Sequence, residues 1–215
     1  MAKVQGVREK LHSPLYDAFF VKEETNGGPP KKFTDFMTDP RVIRFFIDVQ
    51  NKTKLETNLP AAGVLPSLNT FEARALRVVV SSLHRFKPDT ETPKRELKAE
   101  LNEAEILADL IYNSVTALIV GEKVMIEMPT FWFPAGAGVS PGLSTVTNHG
   151  EPDPTATFRF AEPVFIEPQQ NFRVEMAFPQ GVPGLTPEDK TKLAHVRGPL
   201  RIWVVLDGYL TRDVQ

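Results

Sequence analysis

The residues best suited to chemistry in this sequence are its four histidines, His12, His84, His149 and His195. Histidine metal sites bring two such residues together at short spacing, with carboxylate or further imidazole ligands beside them. None of the four lies within five residues of another, so they read as separate loop or surface side chains, and no metal ligand is assigned. Cysteine is absent, which removes thiolate catalysis, thiolate metal sites and disulfides together. No Gly-x-Ser-x-Gly motif marks a serine nucleophile. Glu122 and Glu127 sit near one expected strand, five residues apart, and so on opposite faces of an ideal strand. Glycoside hydrolysis needs both carboxylates on one sugar. Gly136, Gly138 and Gly142 have the density of a phosphate loop, but no helix pattern follows to aim N–H groups at an anion. No catalytic or cofactor-binding residue and no cofactor is assigned, and the chain is expected not to be an enzyme.

What remains is aromatic. Phe131, Trp132 and Phe133 stand in a row between Pro129 and Pro134. Consecutive residues in extended chain alternate in direction, so at least one of the three is expected to face inward. Two readings stay open: the rings plug the end of a sandwich or meet a neighbouring subunit, or they stack on sugar rings as in a carbohydrate-binding module.

The elements that position these residues are strands. Phe45, Ile47 and Val49 alternate with Arg44, Phe46, Asp48 and Gln50, the period of two of a half-buried strand. Residues 51–69, rich in Thr, Asn and Pro, read as a long irregular connection, and residues 71–83 as a second strand. Asn102 with Glu105 forms a capping box, predicting one short helix that ends near Asn113. Residues 115–120 and 123–128 read as strands divided at Gly121 and Glu122. Residues 129–157 form a long loop, of the kind that usually carries a function or meets a partner. Residues 158–166 read as a strand interrupted at Pro163, hence an edge or a bulge. Phe172, Val174, Met176 and Phe178 alternate with polar neighbours. Residues 179–198 read as a Pro/Gly loop, and residues 200–206 as a final strand closed by a turn at Asp207 and Gly208.

About eight strands with long connections suit a jelly roll better than a meander. The expected fold is therefore all-β, a single jelly-roll β-sandwich over residues 41–215 with one short helix, preceded by an extended N-terminal arm over residues 1–40. The 19 prolines among 215 residues agree with short strands and long loops. Phe19, Phe20, Phe33 and Phe36 give the arm apolar anchors without a core of its own. They can pack on the chain's own surface or on a neighbour. The arm holds six Lys/Arg against six Asp/Glu, and the whole chain has a net charge of -2. An arm that binds nucleic acid needs a positive excess to displace counterions, so no direct nucleic-acid binding is expected. No run of eighteen apolar residues is present to span a membrane, and the first residues lack the apolar core of a secretory signal.

This layout resembles the single-jelly-roll coat proteins of icosahedral bacterial or archaeal viruses. The resemblance is carried by residues 41–50, 58–80, 114–134 and 161–178, including Glu162, Pro163, Val164, Phe165, Ile166, Glu167, Pro168 and Phe172, and by residues 200–215. It implies a structural subunit made in the host cytoplasm and resident in the virion, with copies of itself and other capsid proteins as partners. The absence of a basic arm departs from many such proteins. Phe19, Phe20, Phe33, Phe36, Phe131, Trp132 and Phe133 are the residues expected at subunit contacts. The alternative is a β-sandwich module binding carbohydrate or a receptor, as on a viral spike.

Overall fold

The computed structural model describes residues 8–21, 41–82, 110–134, 137–138, 151–152, 155–180 and 200–213. Its strands are β1 (Arg8–His12), β2 (Leu15–Val21), β3 (Arg41–Phe45), β4 (Thr70–Ser82), β5 (Val115–Val120), β6 (Lys123–Pro129), β7 (Ala137–Gly138), β8 (Glu151–Pro152), β9 (Arg159–Ile166), β10 (Phe172–Phe178) and β11 (Leu200–Asp213). One sheet runs β1-β11-β4-β9, with β2 also paired to β11. The other runs β3-β10-β5-β6, and β7 and β8 form a separate two-residue ladder. β1 and β2 lie end to end along β11 in one register, from Arg8↔Asp213 to His12↔Tyr209 and from Leu15↔Leu206 to Val21↔Leu200. Taken as one interrupted strand, and with the short ladder set aside, they leave eight strands. In chain order these stand 1-8-3-6 in one sheet and 2-7-4-5 in the other. This is the jelly-roll arrangement, two Greek keys folded into facing sheets.

The core fills the space between the sheets. Phe71, Leu76, Val78, Ile202, Val204 and Leu206 point in from one side, and Phe45, Leu118, Phe172, Val174, Met176 and Phe178 from the other. Six phenylalanines (45, 46, 71, 133, 172 and 178) are at least 98% buried. Each contributes roughly 1.5–3 kcal/mol of hydrophobic stabilisation. β10 alternates buried and half-buried residues without a break, as its sequence predicts. β5 and β6 form the expected hairpin. Gly121 has φ +61° while Glu122 keeps an ordinary φ, the requirement of a type II′ turn. β9 is an edge strand, and its pairing with β4 shifts between Ala73 and Ala75. Pro163 therefore sits where a missing N–H is tolerated.

Three expectations are corrected. Residues 8–21, assigned to the arm, are strands of the sandwich. Leu15 and Phe19 do alternate toward the core, but the inward position between them holds Asp17, which is wholly buried. The Asp17 carboxylate accepts the Phe46 N–H at 2.7 Å and faces Lys52 Nζ at 2.9 and 3.0 Å. The second correction is at Asp207 and Gly208, which do not turn the chain. β11 continues to Asp213, with a register shift against β4 at this point. Glycine is needed there because any Cβ would overlap the Glu72 carbonyl. The third is that β3 ends at Phe45. Phe46 takes a left-handed φ of +69°, so it follows Phe45 into the core and leaves Ile47 exposed. The expected capping box at Asn102 and Glu105 lies outside the described residues, but residues 110–112 are helical and a turn at 113 ends them. Phe33, Phe36, His84, His149 and His195 also lie outside the described residues.

Of the irregular 51–69 connection, residues 54–56 lie over the outer face of the first sheet, while Leu59 and Leu65 reach into the core. Tyr16 donates its hydroxyl to the Lys54 carbonyl and Trp203 its indole N–H to the Leu55 carbonyl at 3.2 Å. Arg201 lies 3.9 Å from Glu56, its guanidinium over the rings of Phe20 and Trp203. Two carboxyl groups, Glu72 on β4 and Glu56 in the connection, are lowered from their ordinary value. Glu72 is lowered first by the hydrogen bond from Lys10 and then by that from Arg74. Glu56 is lowered first by the Thr53 backbone N–H, against a smaller opposing effect of burial. A carboxyl depressed in the folded state contributes stability that is complete above its unfolded value and is lost as the pH falls through the folded value. The melting temperature is therefore expected to hold from about pH 7 to about pH 5 and to fall below about pH 4. Thermal melts across that range check it, and Glu72→Gln should flatten part of the acid limb.

Candidate aromatic interface

The row Phe131-Trp132-Phe133 is placed by a buried hydroxyl cluster. β6 ends at Pro129, and a single 3-10 turn, Thr130–Trp132, follows. Beneath it the Thr130 hydroxyl lies 2.7 Å from that of Ser114 and 2.8 Å from that of Thr116. All three residues are buried. Ser114 also donates to the Leu110 carbonyl at 2.7 Å, closing the helical end, while the Thr130 N–H donates to the Ser114 carbonyl at 2.9 Å. Buried hydroxyls satisfied by one another fix their backbones tightly. The turn thus bonds to the start of β5, and the Val78 N–H, donating to the Phe133 carbonyl at 3.1 Å, joins it to β4.

From that anchor the three rings diverge. Phe133 is 1% exposed and belongs to the core, whereas Phe131 is 48% and Trp132 51% exposed. The expectation that at least one ring faces inward is met by Phe133, whose ring is not available to a neighbour. Phe158, just before β9, props the group. It meets Phe133 edge-on at 5.7 Å and Trp132 edge-on at 6.4 Å. Tyr112, 68% exposed at the helical end, extends the row. Its ring centroid is 6.1 Å from that of Phe131, which is 6.0 Å from that of Trp132, with planes tilted by only 35° and 31°. The result is a ledge of three exposed rings. Beside it lies an open cavity of about 330 Å³ lined by Phe131, Trp132, Pro134, Thr155, Thr157 and Phe158. Tyr112, Phe158 and the hydroxyl cluster were not nominated by the sequence, because they converge from three separate segments.

The strand registers place the ledge in the sandwich. Pro129 pairs with Val115, Val115 with Ala177, and Phe178 with Arg41. The ledge therefore stands at the end where β3, β5, β9 and β11 begin and where β2, β4, β6 and β10 finish. Four connections, 22–40, 83–114, 130–158 and 179–199, attach to the sandwich at this end. Between described strands, the other end carries the 46–69 connection, the Gly121 turn and the short link between β9 and β10, and the start of β1 and the end of β11 also lie there.

Of the remaining residues expected at subunit contacts, Phe19 packs against the core and Phe20 lies under Arg201. Both spend part of their surface within their own chain. His12 is exposed on β1 beside the Tyr209 ring. Among the described residues, no group of three or more His, Cys, Asp or Glu is placed to hold a metal ion. Glu122 and Glu127 are both exposed. Among the described residues, no helix is long and apolar enough to cross a membrane. No family model matches the sequence, and no curated protein or solved structure matches it either.

Proposed function

We propose that this chain is a structural subunit that assembles with copies of itself into a closed shell of the viral-capsid kind. The observation that carries the reading is the aromatic ledge at the loop-bearing end of a jelly roll. Phe131 and Trp132, on a turn that the hydroxyl cluster holds rigid, and Tyr112, at the neighbouring helical end, expose large rings side by side. Exposed apolar rings on a pre-ordered base are what a protein neighbour covers, because little side-chain freedom is lost on contact. The fold supports the reading as well, since jelly rolls recur in capsid subunits. In such a shell the partners are other copies and other coat proteins, and the chain, made in the host cytoplasm, resides in the virion.

The test is assembly. Particles or symmetric oligomers are expected by analytical ultracentrifugation and negative-stain electron microscopy. The Phe131→Ala/Trp132→Ala double variant should lose them while melting within a few degrees of the parent, as exposed side chains carry little of the folding energy. A parent chain that remains monomeric at concentrations on the order of tens of micromolar would overturn the proposal.

One observation favours a second reading, a carbohydrate- or receptor-binding module. The open cavity is lined by Phe131 and Trp132 together with Thr155 and Thr157, residue types that suit a sugar ring. Binding on a glycan array that disappears with Trp132→Ala, in a chain that stays monomeric, would select this reading instead.

A further inference from the structure

β1 is held differently from the rest of its sheet. None of its side chains is buried; they alternate exposed and half-buried. Beyond the backbone ladder its attachments are mainly charged. Arg8 meets Asp213 at 3.1 Å, Glu9 meets Arg212, and Lys10 meets Glu72. β2 is fixed far more firmly. It buries Leu15, Asp17 and Ala18, and Thr57 bridges to Asp17. Asn58 clamps its beginning, donating its amide to the Pro14 carbonyl at 2.8 Å and accepting the Tyr16 N–H at 3.0 Å. The chain is therefore anchored from Pro14 onward, and the hinge falls at Ser13. That hinge faces Asp207 and Gly208, as the flanking pairs His12↔Tyr209 and Leu15↔Leu206 require.

We infer that β1 is an exchangeable strand, which in the assembled protein leaves its own sheet and pairs with residues 209–213 of a neighbouring copy. The inference rests on the shell-subunit reading and deepens it by naming a segment that links copies. Exchanged and unexchanged pairing make the same ladder and the same ion pairs, so the choice is governed by local concentration and by the short hinge. In a shell the local concentration of neighbours is high. The charge row also makes the site specific. A slip of one residue in one direction sets Arg8 against Arg212, and in the other sets Glu9 against Asp213. Either slip puts like charges face to face, which is destabilising. Only a strand with this order of charges fits, and a second copy supplies it.

The chain has no cysteine of its own, so introduced thiols report pairing without interference. Leu11 and Leu210 are directly opposed, and the Cα separation of such pairs, about 4.5–5.5 Å, suits a disulfide. Their replacement leaves every ion pair of β1 intact. Single variants Leu11→Cys and Leu210→Cys are mixed, assembled, oxidised gently and run denatured without reductant. Exchange yields a covalent species of twice the 24.0 kDa chain mass that joins one variant to the other and vanishes on reduction. The Leu11→Cys/Leu210→Cys double variant should then give a ladder of multiples. The opposed Glu9→Cys/Arg212→Cys pair serves if the leucine variants fold poorly. Assembly is followed separately by ultracentrifugation. Assembled material whose double variant closes only within single chains overturns the exchange and leaves the shell reading standing. Closure within chains that never assemble overturns both. Thiols that stay free in every variant overturn the pairing of β1 with β11 in assembled material, and the exchange with it.

Discussion

Replacing Gly208 by alanine is expected to leave little folded protein. An added Cβ would overlap the Glu72 carbonyl oxygen and lie 2.9 Å from both its carbon and Phe71 Cζ. The first obstacle is backbone and the second is the ring of a wholly buried phenylalanine, so no rotamer change relieves the overlap. Only separation of β11 from β4 does, and these two strands share the longest ladder of the fold, from Leu200↔Ser82 to Thr211↔Thr70. Overpacking of this kind costs on the order of 3–5 kcal/mol, a large share of a typical domain's stability. Soluble yield and the urea midpoint of Gly208→Ala measure it. A variant that unfolds with the parent's midpoint would mean that the two strands can part locally at little cost.

The second large effect is expected at Asp17. Its carboxylate, wholly buried, accepts the Phe46 N–H and pairs with Lys52. Phe46 pays for its left-handed φ with roughly 1–3 kcal/mol, and its neighbours hold it there. Its N–H goes to Asp17, its carbonyl accepts from Gly63 at 2.6 Å, and its ring packs on Phe172 at 5.3 Å. Asp17→Ala strands a buried N–H and leaves the Lys52 ammonium, with a side chain 19% exposed, without its partner. Losing one member of a buried pair costs about 3–5 kcal/mol. The residual access of Lys52 to water lowers this to roughly 2–4 kcal/mol. Asp17→Asn keeps an oxygen for Phe46 and should recover part of the loss. Chemical denaturation of the three proteins side by side gives the ordering, and Asn falling below Ala would refute this account.

These two residues also mark where the sequence was opaque. β10 was legible because its side chains obey the period of two, and the β5–β6 hairpin because β-branched residues disfavour a helix there and Gly121 with Glu122 divides the two strands. β1 and β2 were not, since Pro14 splits them and the inward Asp17 looks like a surface residue until Lys52 and Phe46 are brought to it. The pair Asp207 and Gly208 carries a turn signal, yet its glycine answers a close approach to Glu72, a demand set by a strand more than a hundred residues away. The site divides in the same way. The aromatic row was visible as three consecutive rings. The hydroxyls of Ser114, Thr116 and Thr130, and the rings of Tyr112 and Phe158, gain meaning only when the fold gathers them. Serine and threonine at those positions look like ordinary strand and loop residues.

Pro163 has a consequence for crowded copies of this chain. It lies within β9, on one edge of the first sheet, and Pro129 ends β6 on one edge of the second; β1 with β2, and β3, form the opposite edges. A strand laid along β9 or β6 would meet, at one position, a residue with no N–H to donate. Edge-on-edge stacking through β9 or β6, a contact that propagates without limit into fibres, is thus disfavoured. Aggregates that grow from these two strands should therefore be slow to nucleate.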